Sequence, residues 1–187
     1  MTTLSLPVSE RDHAQGPADA PVTLVEYGDY QCPYCAKAHP IVKQLQANLG
    51  DQLRFVFRNF PLTRIHPDAL RAAVAAESVA ELAGPEAFWA MHDLIFEHQR
   101  DSADALRAPQ LLTYAAEAGA DTGQVAGQLE SEVLTARVRD DFMGGVHSGV
   151  NGTPSFFING VRFDGDWRDA EGFTRALKEA AAEALVA

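Results

Sequence analysis

Cysteine is almost missing from this chain: 187 residues contain two. Two thiols cannot build the multi-bridge framework of a small disulfide-rich domain, and alone they supply only half of the four ligands a tetrahedral zinc site needs. Long apolar runs are missing as well. No stretch approaches the roughly 20 apolar residues that a helix needs to cross a bilayer, so no membrane partner is expected. Positive charge is scarce, with 15 Lys and Arg against 26 Asp and Glu and a formal net charge of -11. Nucleic-acid binding rests on clustered Lys and Arg, so a phosphate-backbone ligand is not expected either. The opening stretch MTTLSLPVSERDHAQGPADAP lacks the basic start and apolar core of a secretory signal. The expected location is therefore cytoplasmic, or extracytoplasmic had a signal already been removed.

What the chain does have is apolar content, 47% of its residues, at a length that suits one compact domain carrying an insertion. Its acids are unevenly spread. Residues 62–150 hold 14 Asp and Glu against 6 Lys and Arg, residues 1–61 hold 6 against 5, and residues 151–187 hold 6 against 4. The acidic middle also reads as wholly helical. Its first helix, PDALRAAVAAESVAELAG, opens on Pro67 and stops at Gly84, the usual proline-first, glycine-last order. In PEAFWAMHDLIFEHQ, the residues Phe88, Met91, Ile95 and Phe96 fall on one helical face. PQLLTYAAEAGA and SEVLTARVRDDFMGGVHSG read as two more helices, whose acidic faces are most simply solvated surface.

The flanks carry a different pattern. VTLVEYG (22–28) reads as a buried strand, and residues 33–49 as a helix with Ala38, Ile41, Val42, Leu45 and Leu49 inward, stopped by Gly50. LRFVFRNF (53–60) is a second strand. PSFFING and VRFDG form a hairpin around Asn159-Gly160, and residues 169–186 form a last amphipathic helix. The predicted order is β-α-β, a helical insertion, then β-β-α. Residues 1–61 and 151–187 are assigned to one α/β domain, with 1–15 as an N-terminal extension and 62–150 as the insertion.

Both cysteines sit in one short stretch, YGDYQCPYCAKAHP, as Cys32 and Cys35. Two cysteines dropped at random in a chain of this length would fall three apart about one time in a hundred. Three readings address the spacing. The first is a redox pair. If the helix begins here, Cys32 is its N-cap, Pro33 its first residue and Cys35 its third. The Cys32 sulfur then faces open amide donors and the positive end of the helix dipole, which favours the attacking thiolate form. Residues three apart on a first turn lie roughly 5–6 Å apart at Cα, within disulfide range, and Cys35, one turn in, would be covered and act second. The second reading is a metal site, with His39 as third ligand and His66 as a distant fourth. His39 is more simply an exposed residue ahead of a kink at Pro40. The third is two small packed side chains, for which the N-cap position has no purpose.

VTLVEYGDYQCPYC, the downstream GVNGTPSFFING and the helical block between them resemble the DsbA family of thioredoxin-fold thiol–disulfide oxidoreductases, over residues 16–187. The resemblance implies a thioredoxin fold with an inserted helical domain. It implies dithiol–disulfide exchange on client proteins centred on Cys32, with Cys35 as resolving thiol and with neither cofactor nor metal. Glu26, six residues before Cys32, matches an acidic residue that assists proton movement at the second cysteine, a role suited to a desolvated carboxylate of raised pKa. Thr153 and Pro154 match the loop whose cis-proline faces the disulfide. Pro33, Tyr34, Thr153 and Pro154 are then the substrate-binding residues, with Phe88 and Trp89 either plain core or an apolar wall. Tyr34 departs from the family's usual histidine and makes the centre resemble that of glutaredoxins. A neutral tyrosine stabilises thiolate less, which points to a less oxidising couple, although Asp29 and the helical domain could move the potential either way. Glutathione or a redox protein is the expected electron partner. Two alternatives share the architecture: a glutathione-dependent transferase or isomerase of the kappa type, and a non-catalytic partner-binding module.

Overall fold

The computed structural model describes residues 2–186, in which seven helices accompany a five-stranded sheet. Strands β1 (His13–Gln15), β2 (Val22–Gly28), β3 (Leu53–Asn59), β4 (Ser155–Ile158) and β5 (Val161–Arg162) lie side by side in the order β1-β3-β2-β4-β5. Strand β2 is central and its residues are buried almost throughout, as expected of a β-branched, aromatic run covered on both faces. It pairs antiparallel with β4, which sets Glu26 opposite Phe156 and Tyr27 opposite Ser155. The β4–β5 turn is Asn159-Gly160, with φ of 46° and 81°, the left-handed pair that a two-residue hairpin requires.

Helix α1 (Pro33–Leu49) links β2 to β3. Cys35, Ala38, Val42, Leu45 and Leu49 form its buried face. His39 lies on that face as well and is buried, against the expectation of an exposed residue. The reason is its spacing, one turn after Cys35 and three residues before Val42, which places it inward however polar it is. Pro40 sits inside the helix, which continues through it to Leu49. At the other end of the chain, α7 (Ala170–Ala184) packs on β2 and buries Phe173, Leu177 and Ala181, four residues apart. Phe173 stacks on Phe163 at 4.6 Å and meets the edge of Phe156 at 5.1 Å.

The chain divides into two compact units. Among the described residues, the first comprises 2–28, 37–58 and 143–186 and holds the sheet and α7. Residues 2–15, part of the stretch read from sequence as an extension, are built into it. They supply β1, which pairs antiparallel with β3, and a bridge from Thr3 to Val161. Arg58 pins them further. Its Nε and Nη2 donate to the two oxygens of Asp12 at 2.7 and 3.1 Å, Nη1 to the Leu6 carbonyl and Tyr27 hydroxyl at 3.0 Å each, and Nη2 also to the Pro7 carbonyl at 3.1 Å. All five guanidinium donors are satisfied in a side chain only 5% exposed. Burial alone would lower its pKa, but the hydrogen bonds to Asp12 and Tyr27 outweigh that and hold it above the ordinary arginine value.

The second unit comprises residues 29–36 and 59–142. It contains α2 (Ala69–Ala83), α3 (Pro85–His98), α4 (Ala108–Glu117), α5 (Thr122–Gln128) and most of α6 (Glu132–His147). Helix α2 is the hub: it packs against α3, α4 and α5, and its run of buried alanines allows close approach. It begins two residues after Pro67, because Pro67 and Asp68 form the turn that leads into it. Gly84 ends α2 at φ 89° and Pro85 opens α3 at once. Buried Glu77 joins three elements, accepting from Asn59 Nδ2 at 2.8 Å and from Arg137 Nε at 2.6 Å. Helix α5 was not foreseen. Its glycines, Gly123 and Gly127, weaken the helical pattern, yet Asp121 caps it through the Gln124 amide at 2.8 Å and Val125 is buried beneath it.

Candidate active site

The stretch carrying both cysteines, Asp29–Ala36, belongs to the second unit. Helix α1 starts at Pro33, where a missing N–H costs nothing, so Cys32 is the residue just ahead of the first turn. Its carbonyl accepts from the Ala36 amide at 3.2 Å, which closes the first helical hydrogen bond and gives Cys32 the N-cap position. The amides at the head of a helix are the ones without an intrahelical acceptor, and the helix dipole is positive there. Cys35 lies in the first turn.

Both thiols are buried, Cys32 at 3% exposure and Cys35 at none. Cys32 is thus far more covered than its N-cap position alone suggests. Gln99, just past α3, donates to the carbonyls of Tyr30 at 3.0 Å and Cys32 at 3.4 Å. Tyr34, between the cysteines, is half exposed at 49%. Tyr30 turns inward instead. Its hydroxyl shares a hydrogen bond with His92 Nδ1 at 3.0 Å, and its ring lies 5.0 Å from that of Phe96. Phe88 is fully buried and Trp89 is 7% exposed, with both rings packed around His92, so these two aromatics are core.

Asp29 organises the turn. Its carbonyl accepts from the Cys32 amide at 3.0 Å, and its own amide donates to Cys35 Sγ at 3.4 Å. Its carboxylate, with no solvent exposure, accepts from the Gln31 amide at 2.7 Å on one oxygen. The other oxygen accepts from the Leu62 amide and meets His66 Nδ1, both at 2.8 Å. Sequence reasoning gave Asp29 only a diffuse influence and weighed His66 as a remote metal ligand. Their contact spans 37 positions of sequence, and no periodicity signals such a pairing.

The remaining candidates lie in the first unit. Glu26 is buried on β2 at 3% exposure, close beside the Gly28 backbone. The Thr153–Pro154 peptide is cis and leads directly into β4. Cys32, Pro33, Tyr34 and Cys35 are therefore brought together on one turn with Asp29 and His66, while Glu26, Thr153 and Pro154 belong to the sheet-bearing unit.

A protein-family model described as Thioredoxin matches residues 8–179. Among curated proteins, the Na(+)/H(+) antiporter NhaA 3 of Salinispora tropica is 42% identical over 97% of this chain and 26% of its own length. NhaA 1 of Mycolicibacterium gilvum is 42% identical over 90% of this chain and 26% of its own length. The chain thus spans about a quarter of the length of these curated relatives. Three solved structures share the architecture. BdbD from Bacillus subtilis superposes with a TM-score of 0.84 at 24% identity, covering 97% of this chain and 98% of that one. Wolbachia pipientis alpha-DsbA1 gives 0.82 at 20% identity, covering 98% and 96%. A thioredoxin-like oxidoreductase from Silicibacter pomeroyi gives 0.75 at 26% identity, covering 96% and 95%. The family match over residues 8–179 makes this chain a member of the thioredoxin family, and its superposition on DsbA-type structures over nearly the whole chain gives it a DsbA-like thioredoxin fold.

Proposed function

We propose that the protein is a thiol–disulfide oxidoreductase that exchanges disulfides with client proteins through Cys32 and Cys35. The observation that carries this reading is the position of Cys32 as N-cap of α1, with Cys35 in the following turn. The Cys32 thiolate attacks one sulfur of a client disulfide, and the second client sulfur leaves as thiolate and takes up a proton. Cys35, once deprotonated, attacks the Cys32 sulfur of the mixed disulfide and displaces the first client sulfur. The client gains two electrons, and Cys32 and Cys35 end joined. Run in reverse, the same steps oxidise a client dithiol.

Glu26 is the proton carrier for Cys35 in this proposal, and a buried carboxylate suits the part. Pro33, Tyr34, Thr153 and Pro154 receive the client backbone. Exposed Tyr34 is neutral and adds no positive charge beside Cys32, which favours a reducing or isomerising role over a strongly oxidising one. Glutathione or a redox protein supplies the electrons, and a cytoplasmic location belongs to the same proposal.

Insulin reduction by dithiothreitol tests the reading. The wild-type chain speeds precipitation of the insulin B chain, and Cys32→Ser reduces the rate to the uncatalysed level. Equal rates with and without the wild-type protein would remove the enzymatic assignment. A second reading is a non-catalytic partner-binding module. Under that reading a Cys32→Ser chain keeps its function. The kappa-type alternative is decided by an assay for glutathione conjugation.

A further inference from the structure

Asp29 contacts the cysteine turn through all three of its polar parts. Its amide donates to Cys35 Sγ, its carbonyl accepts from the Cys32 amide, and its carboxylate holds the Gln31 amide. Covalent geometry places that carboxyl carbon within about 7 Å of the Cys35 sulfur, given the 3.4 Å contact at the backbone nitrogen. The carboxylate has no exposed surface, so solvent screens it little. Its compensation is also lean. Two other buried carboxylates of the same unit are met by arginines, Asp68 by Arg71 at 2.8 Å and Arg107 at 3.6 Å, and Glu77 by Arg137 at 2.6 Å. Among the described residues no Lys or Arg bonds to Asp29, and its ionisable partner is His66. Two backbone amides complete its shell, one on the turn itself and one, from Leu62, on the loop leading to α2.

We propose that Asp29, held by His66 and the Leu62 amide, is a positioning residue that sets the redox poise of the Cys32–Cys35 couple. The inference rests on the exchange reading above. A negative carboxylate held near the Cys35 sulfur, on the residue whose carbonyl holds the Cys32 amide, opposes thiolate formation on this turn. It therefore disfavours the reduced, thiolate-bearing form and makes the disulfide a weaker oxidant. This acts in the same direction as neutral Tyr34. The hydrogen bonds to the turn also hold the backbone on which both sulfurs are mounted, so charge and geometry come from one side chain.

The test is the glutathione equilibrium of the full chain, in which the disulfide plus two glutathione thiols gives the dithiol plus one glutathione disulfide. Asp29→Asn removes the charge and keeps an oxygen for the Gln31 amide. The expected result is an equilibrium constant for reduction raised about tenfold, equivalent to about 30 mV towards a more oxidising couple. A constant equal to or below that of wild type overturns the inference, even if the variant melts earlier, since a purely structural residue would lower stability and leave the poise unchanged. A second measurement needs no variant. The His66 imidazole nitrogen signals of the wild-type protein, read by NMR, should differ between its disulfide and dithiol forms, and identical signals overturn the coupling. A wild-type chain with no measurable equilibrium would instead sink the exchange reading itself.

Discussion

Arg58 shows how one residue can tie an N-terminal segment to a sheet. It sits on a strand buried on both faces, and its five donors reach Asp12, Leu6, Pro7 and Tyr27. Removing one member of such a pair strands a buried charge, so Asp12→Ala is expected to cost about 3–5 kcal/mol in urea unfolding. The pH dependence has a definite sign. Arg58 is held above its ordinary value, so its contribution is complete below the unfolded arginine pKa and is lost only as pH rises beyond the folded one. The stability difference between wild type and Arg58→Met should therefore be the same at pH 7 and pH 9, and a difference that shrinks at pH 9 would contradict the assignment. At the active turn the spacing of Cys32 and Cys35 and the first-turn proline were legible, because they act over four consecutive residues. The partners of Asp29 were not. They join residues 29, 62 and 66, a contact made by the fold rather than by any local pattern.

At the scale of elements, local signals worked where chemistry and position coincide. Helix α1 runs over the residues its apolar spacing indicated, and the Asn159-Gly160 turn joins β4 to β5. Helix α7 starts one residue after Asp169, whose carboxylate accepts from the Gly172 amide at 3.0 Å. Asp169→Ala should cost about 1 kcal/mol, measured as a lower urea midpoint with an unchanged slope. Strand β1 was illegible because its three residues, His13–Gln15, carry neither β-branching nor alternation, and only β3 makes them a strand. The close approach at Gly16 follows from that pairing. A Cβ there would collide with the Leu53 carbonyl, and φ is already 88°. Gly16→Ala is expected to destabilise by at least about 1 kcal/mol, read as a lower melting temperature.

For the whole molecule, the order of strands and helices already indicated an α/β chain interrupted by a helical block, because each segment's period matched the layer it occupies. The division into units was harder to read. The cysteine turn, continuous with β2 in sequence, belongs with the helical unit, through hydrogen bonds to residues 62, 66, 68 and 99. The proposed exchange stands on Cys32 acting as nucleophile and Cys35 as the group that releases its product. The most direct measurement is mass spectrometry of Cys35→Ser after incubation with a peptide disulfide. The account predicts one peptide chain attached through a reducible bond at Cys32, and no lasting adduct on wild type. Failure of Cys35→Ser to accumulate the adduct, or an adduct equally long-lived on wild type, would contradict it.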